Sequence, residues 1–97
     1  MKKVIFNGTK CDVVFGEYEN GRTAIRLTEN GSPLATATFN DPEISLEDNQ
    51  VLVKNWSENK GMVDSLVEAG IVEKASSTYI PIGRFDSEAW VCNLLKD

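Results

Sequence analysis

The chain has 97 residues and a mass of 10.7 kDa, which leaves room for one domain spanning residues 1–97 and excludes a multidomain enzyme. With 41% hydrophobic and 26% charged residues it has the composition of a folded domain and not of a disordered or low-complexity segment. Its net charge is −5, and the basic residues never gather along the chain beyond Lys2 and Lys3, a pattern that argues against direct nucleic acid binding.

Asn-Gly turn signals at Asn7-Gly8, Asn20-Gly21 and Asn30-Gly31 recur about every ten residues and predict a meander of hairpins. The strands they bound are Lys2 to Phe6, Lys10 to Glu19, Arg22 to Thr28 and Leu34 to Phe39. Alternation sets Cys11, Val13 and Phe15 on one face of the second strand, and Ile25 and Leu27 on one face of the third. Asn40-Asp41-Pro42-Glu43 ends the meander in a loop, because proline lacks the ladder N–H and restricts its predecessor.

A fifth strand, Gln50 to Lys54, leads into the one convincing helix. Ser57, or less favourably Asn59, is the expected N-cap, and Glu58 suits the positive end of the dipole. Met62, Leu66 and Ala69, with Val63 and Val67 beside them, form an apolar stripe opposite Asp64, Ser65 and Glu68. Ala69 as C-cap followed by Gly70 and Ile71 predicts a Schellman ending in which Gly70 has a positive φ. Strands follow from Ile71 to Lys74, through Tyr79, Ile80 and Ile82, and from Glu88 to Leu95, with Pro81 marking an edge. The expected fold is therefore α+β, a mostly antiparallel twisted sheet with one short helix packed on it.

No histidine is present, which removes the usual general base and the commonest metal ligand. Cys11 and Cys92 lie 81 positions apart without CxxC spacing and read as free thiols of a reduced, cytoplasmic protein. No secretory apolar region and no run of membrane-spanning length is expected, so the Asn-x-Ser/Thr triplets at Asn7, Asn30 and Asn55 are not read as glycan acceptors, and Asn7 and Asn30 read as turn residues that tolerate a positive φ. The carboxylate pairs Asp41/Glu43 and Glu47/Asp48 lack an apolar pocket to separate their pKa values. A metal held by Cys11, Cys92 and carboxylates is a poor zinc set without imidazole. No enzyme activity, cofactor or metal is expected.

The segment from Asp41 to Asp48 holds four carboxylates in eight residues and no basic residue. It reads either as a solvated loop or as a mimic of a phosphate row offered to a basic groove. Trp56, with Glu58 beside it, reads either as core or as an interface anchor, whereas Trp90 reads as core. The candidate partner-binding residues are Asp41, Glu43, Glu47, Asp48, Trp56 and Glu58.

The run Val51-Leu52-Val53-Lys54-Asn55-Trp56-Ser57-Glu58-Asn59-Lys60-Gly61-Met62, continued by Leu66-Val67-Glu68-Ala69-Gly70-Ile71-Val72-Glu73, resembles a family of small domains of unknown function from phages, prophages and plasmids. Trp90-Val91-Cys92-Asn93-Leu94-Leu95 resembles the closing strand of that family. Some domains similar to it are anti-CRISPR proteins, so the resemblance implies a stoichiometric inhibitor of a host defence nuclease, such as a bacterial CRISPR effector, in the cytoplasm of an infected or lysogenic host. The alternative is an accessory adaptor binding a replication or virion component. A third reading is a small-ligand sequestering module or enzyme, which an oligomer with a pocket lined by residues from two chains would favour.

Overall fold

The computed structural model describes residues 3–95. Strands β1 (Lys3–Phe6), β2 (Thr9–Glu17), β3 (Thr23–Glu29) and β4 (Ser32–Thr36) form an antiparallel sheet in chain order, as the turn signals predict. Asn7 and Gly8 have φ of 50° and 79°, the left-handed pair that a two-residue type I′ hairpin needs and that Asn-Gly supplies with little strain. Val4, Phe6, Cys11, Val13, Ile25 and Leu27 point from this sheet into the core. Phe15, expected on the same face, is 57% exposed, so the covered part of the core ends before it.

The predicted strand Leu34 to Phe39 divides. Beyond β4 the chain leaves the first sheet, and β5 (Thr38–Phe39) starts a second antiparallel sheet with β6 (Gln50–Lys54), β9 (Ser87–Leu94) and β7 (Val72–Lys74), while β8 (Ile80–Ile82) pairs with β9 beside it. Ala37 is the joint. Its N–H donates to the Ile25 carbonyl at 2.8 Å and its carbonyl accepts from the Lys54 N–H at 2.8 Å, so one buried residue hydrogen-bonds to both sheets. Thr38 supports the joint through its Oγ1, which accepts from the Ile25 N–H and meets the Tyr18 hydroxyl, each at 3.0 Å. Such backbone groups must be paired where water is excluded, and the change of sheet is what pairs them.

Helix α1 (Met62–Glu68) packs against β1, β6 and β7, spanning from the edge of one sheet to the edge of the other. Met62, Val63 and Leu66 are buried and Ala69 packs against the core, but Val67 is 39% exposed, so the buried stripe is narrower than the sequence pattern suggests. Its C-terminus is the predicted Schellman motif. The Ile71 N–H donates to the Leu66 carbonyl and the Gly70 N–H to the Val67 carbonyl, both at 3.0 Å, and Gly70 has a φ of 75°.

The start of the helix differs from expectation. Ser57 and Asn59 do not cap it; they bound a 3-10 turn, Ser57–Asn59, and α1 begins only after Gly61. The acceptor comes from Asn55 instead, whose Oδ1 takes the Val63 N–H at 3.0 Å from eight positions upstream. Asn55 is held in turn: its Nδ2 donates to Glu88 Oε1 at 3.2 Å and its N–H to the Glu88 carbonyl at 3.1 Å. Glu88 Oε1 also accepts the Trp90 indole N–H at 3.1 Å. Asn59 is buried, and its Nδ2 donates to the Thr36 carbonyl at 2.7 Å, tying the turn to β4. Trp90 is half-buried, packed on the core by one side and covered by Tyr79 and the Lys74 ammonium on the other.

Both cysteines are buried and unpaired. Burial pushes the Cys92 thiol up to about 12, and burial together with the Glu29 carboxylate raises that of Cys11. A thiol whose folded pKa lies above its unfolded value stabilises the fold fully at lower pH and loses that contribution as pH rises. For Cys92 stability should therefore fall between about pH 8.5 and 12, by at most about 1.4 kcal/mol per pH unit, and Cys11 acts in the same direction. Urea denaturation over this range is the check, with Cys92→Ala expected to flatten the slope; an unchanged slope in that variant would refute the assignment.

Candidate protein-binding site

The acidic loop is staked at both ends by side chains from elsewhere. The Arg22 guanidinium donates to the carbonyls of Asp41 and Ile44 at 2.8 and 2.6 Å, and the Asn20 amide donates to Asn40 Oδ1 at 3.2 Å. Inside the loop the Asp41 carboxylate accepts the Glu43 N–H at 3.1 Å. At the far end Gln50 Oε1 accepts the Glu47 N–H at 3.0 Å, and its amide continues to Asn93 and, through Asn93, to Glu73. Ile44 and Leu46 are half-buried, whereas Glu43, Glu47 and Asp48 are exposed. Arg22 thus holds the loop by its carbonyls and not by its carboxylates.

Trp56 and Glu58 stand at the other end of β6. The Trp56 ring is half-buried and meets Phe39 edge-on, with centroids 5.3 Å apart and planes at 73°. Lys54 joins the two residues: its Nζ lies 5.5 Å from the Trp56 ring centroid and 3.0 Å from Glu58 Oε1. The Glu58 carboxyl is held below its ordinary range first by its own backbone N–H and then by Lys54. The structure thus brings Trp56 and Glu58 together and sets Asp41, Glu43, Glu47 and Asp48 apart from them. The length of β6, roughly 13 Å, separates the groups. A standard interface patch of about 800 Å² per partner covers both.

Sequence reading missed Arg22, Phe39 and Lys54. Each lies outside the acidic segment or alternates with core positions, and only the fold gives it a place here. Beside Glu58 runs an open groove of about 330 Å³ lined by Leu34, Ala35, Thr36, Lys54 and Asn59. Its one carboxylate is already paired with a lysine, so it lacks the two-group arrangement that acid and base chemistry needs. Among the described residues no three His, Cys, Asp or Glu side chains cluster to hold a metal, and no helix is long and apolar enough to cross a membrane. No protein-family model, curated protein or solved structure matches the chain.

Proposed function

We propose that this domain acts by stoichiometric protein contact, as an inhibitor of a host defence nuclease of the CRISPR effector type, and not by turnover. The observation that carries the reading is the acidic loop, whose backbone is pinned by Arg22 while Glu43, Glu47 and Asp48 face solvent. A fixed row of carboxylates loses little entropy on meeting a basic surface, and CRISPR effectors hold nucleic acid in strongly basic channels. The resemblance of residues 51–73 to mobile-element domains supports the same setting, and Trp56 on Phe39 supplies an aromatic anchor.

The test is plasmid or phage interference by a panel of CRISPR systems with and without the protein, combined with effector pull-down. Replacing Asp41 and Asp48 by Asn and Glu43 and Glu47 by Gln should slow association about tenfold or more at low salt and flatten its salt dependence. Trp56→Ala should mainly speed dissociation. The loop variant should remain folded, since exposed charges contribute only about 0 to 1 kcal/mol each and Asn at position 41 keeps the acceptor for Glu43. Unchanged interference, with no effector recovered, would refute the inhibitor reading and put the accessory adaptor in its place.

A further inference from the structure

Three Asn-Gly steps, Asn7-Gly8, Asn20-Gly21 and Asn30-Gly31, share one chemistry, the lability of the asparagine side chain. Once deprotonated, the glycine amide nitrogen can attack the carbonyl carbon of the preceding side chain, and glycine eases this because it carries no Cβ beside the nucleophile. The new C–N bond closes a succinimide ring, the bond from that carbon to Nδ2 breaks, and the nitrogen takes up a proton and leaves as ammonia. Water then opens the ring at either carbonyl, which leaves aspartate or isoaspartate. All three asparagines are exposed, and a Cβ on any of the three glycines would meet nothing within 4 Å, so crowding does not rank the steps.

Hydrogen bonding does. The Gly21 N–H donates to the Tyr18 carbonyl at 2.9 Å, which ties up the nucleophile. The Asn20 amide is held at both atoms: Nδ2 donates to Asn40 Oδ1 at 3.2 Å, and Oδ1 accepts the Arg22 N–H at 3.3 Å. Among the described residues the Gly8 and Gly31 N–H groups take no backbone partner.

Packing separates the remaining two. Asn7 and Asn30 are both left-handed, with φ of 50° and 51°. A left-handed residue sets its Cβ and the next nitrogen nearly opposite across the Cα–C bond, whereas the ring needs them on one side, so the hairpin tip must open before it closes. At Asn7 the core opposes that opening. Phe6 pairs with Thr9 beside the turn and Val4 with Cys11 behind them, and Phe6, Val4 and Cys11 all belong to the core cluster. At Asn30 the register of β3 and β4 shifts between Leu27 and Thr28, so only the pairs Glu29–Ser32 and Thr28–Pro33 lie between the turn and the irregularity. Glu29, Ser32, Pro33 and Leu34 are exposed, and this tip can lift without disturbing the core.

We infer that Asn30 is a modification site of this chain, the Asn-Gly asparagine that deamidates fastest in the folded state, with Asn7 slower and Asn20 slowest. The event adds one carboxylate to a net charge of −5. In isoaspartate the backbone runs through the former side chain and gains a carbon, so the two-residue turn no longer fits and the tip of the β3–β4 hairpin loosens.

The test is incubation of the wild-type chain at mildly alkaline pH, followed by trypsin and mass spectrometry, with isoaspartate read by enzymatic methylation of its carboxylate. Cleavage after lysine and arginine puts the three sites in separate peptides, Val4 to Lys10, Cys11 to Arg22 and Leu27 to Lys54, and fragmentation locates the change within the last. In the folded chain Asn30 should convert about threefold or more faster than Asn7, and about tenfold or more faster than Asn20. In strong urea the three rates should draw together, because only the fold separates them. Hydrogen exchange at the Ser32 amide should quicken as isoaspartate accumulates, while that at the Thr9 amide keeps its rate. Asn30→Asp adds the same charge without the extra backbone carbon and should leave Ser32 exchange slow. Conversion of Asn7 or Asn20 at least as fast as Asn30 in the folded chain would overturn the proposal. So would the same order and spread of rates in urea, or no conversion at Asn30.

Discussion

Leu66→Ala should destabilise the domain by about 3 to 4 kcal/mol, the largest effect expected of any single substitution considered for this chain. Leu66 is fully buried, belongs to the core cluster with Met62, Val63, Ile71 and Val72, and sits where α1 closes the space between the two sheets. Truncation removes its apolar surface and leaves a cavity that two sheets joined at Ala37 cannot readily collapse into. It also removes the side-chain contact that accompanies a Schellman ending, since Ile71 bonds back to the Leu66 carbonyl. For a domain of this size, with stability of order 5 to 10 kcal/mol, that is a large share. Urea denaturation should show a lowered midpoint with an unchanged slope. Val67→Ala, one residue along the same helix but exposed, should cost under about 0.5 kcal/mol. Similar losses at both positions would contradict the helix orientation.

Asn55→Ala is the second, expected to cost about 2 to 3 kcal/mol. The substitution removes the acceptor of the Val63 N–H at the start of α1 and a donor to Glu88 in one step. The penalty exceeds that of an ordinary cap because the bonds are part-buried and one partner is a carboxylate. Asn55→Asp keeps the acceptor but sets a second carboxylate against Glu88, and should not restore stability. A double-mutant cycle with Glu88→Gln should give a coupling of about 0.5 kcal/mol or more, because the two side chains share one network. Near-ultraviolet circular dichroism should change with it, since Trp90 donates to the same Glu88 oxygen. A loss under about 0.5 kcal/mol for Asn55→Ala would show that helix docking does not depend on this residue.

Some of the architecture is legible because its chemistry is local. Asn7-Gly8 specifies its hairpin and Gly70 its helix ending through backbone preferences that act over four to six residues. Strand β6 was predicted with its observed limits, Gln50–Lys54. The cap of α1 was misplaced for the converse reason. Ser57 is a good capping residue by type, but the side chain that receives the helix is Asn55, selected by the position of Glu88 across the sheet.

The candidate site divides the same way. That Asp41, Glu43, Glu47 and Asp48 form an acidic segment is plain from the order of residues. That they are held outward is Arg22's doing, and that Trp56 and Glu58 share Lys54 at the far end of β6 is a matter of packing. The sequence by itself determined the α+β class, the hairpins, the single short helix and its ending, because hydrophobic period and turn chemistry are properties of neighbouring residues. Only the tertiary structure decided the transfer of the chain between sheets at Ala37, the cap from Asn55 and the hold of Arg22 on the acidic loop. Those depend on register between strands, where a shift of one residue reverses every side chain, and no local pattern encodes which strands become neighbours.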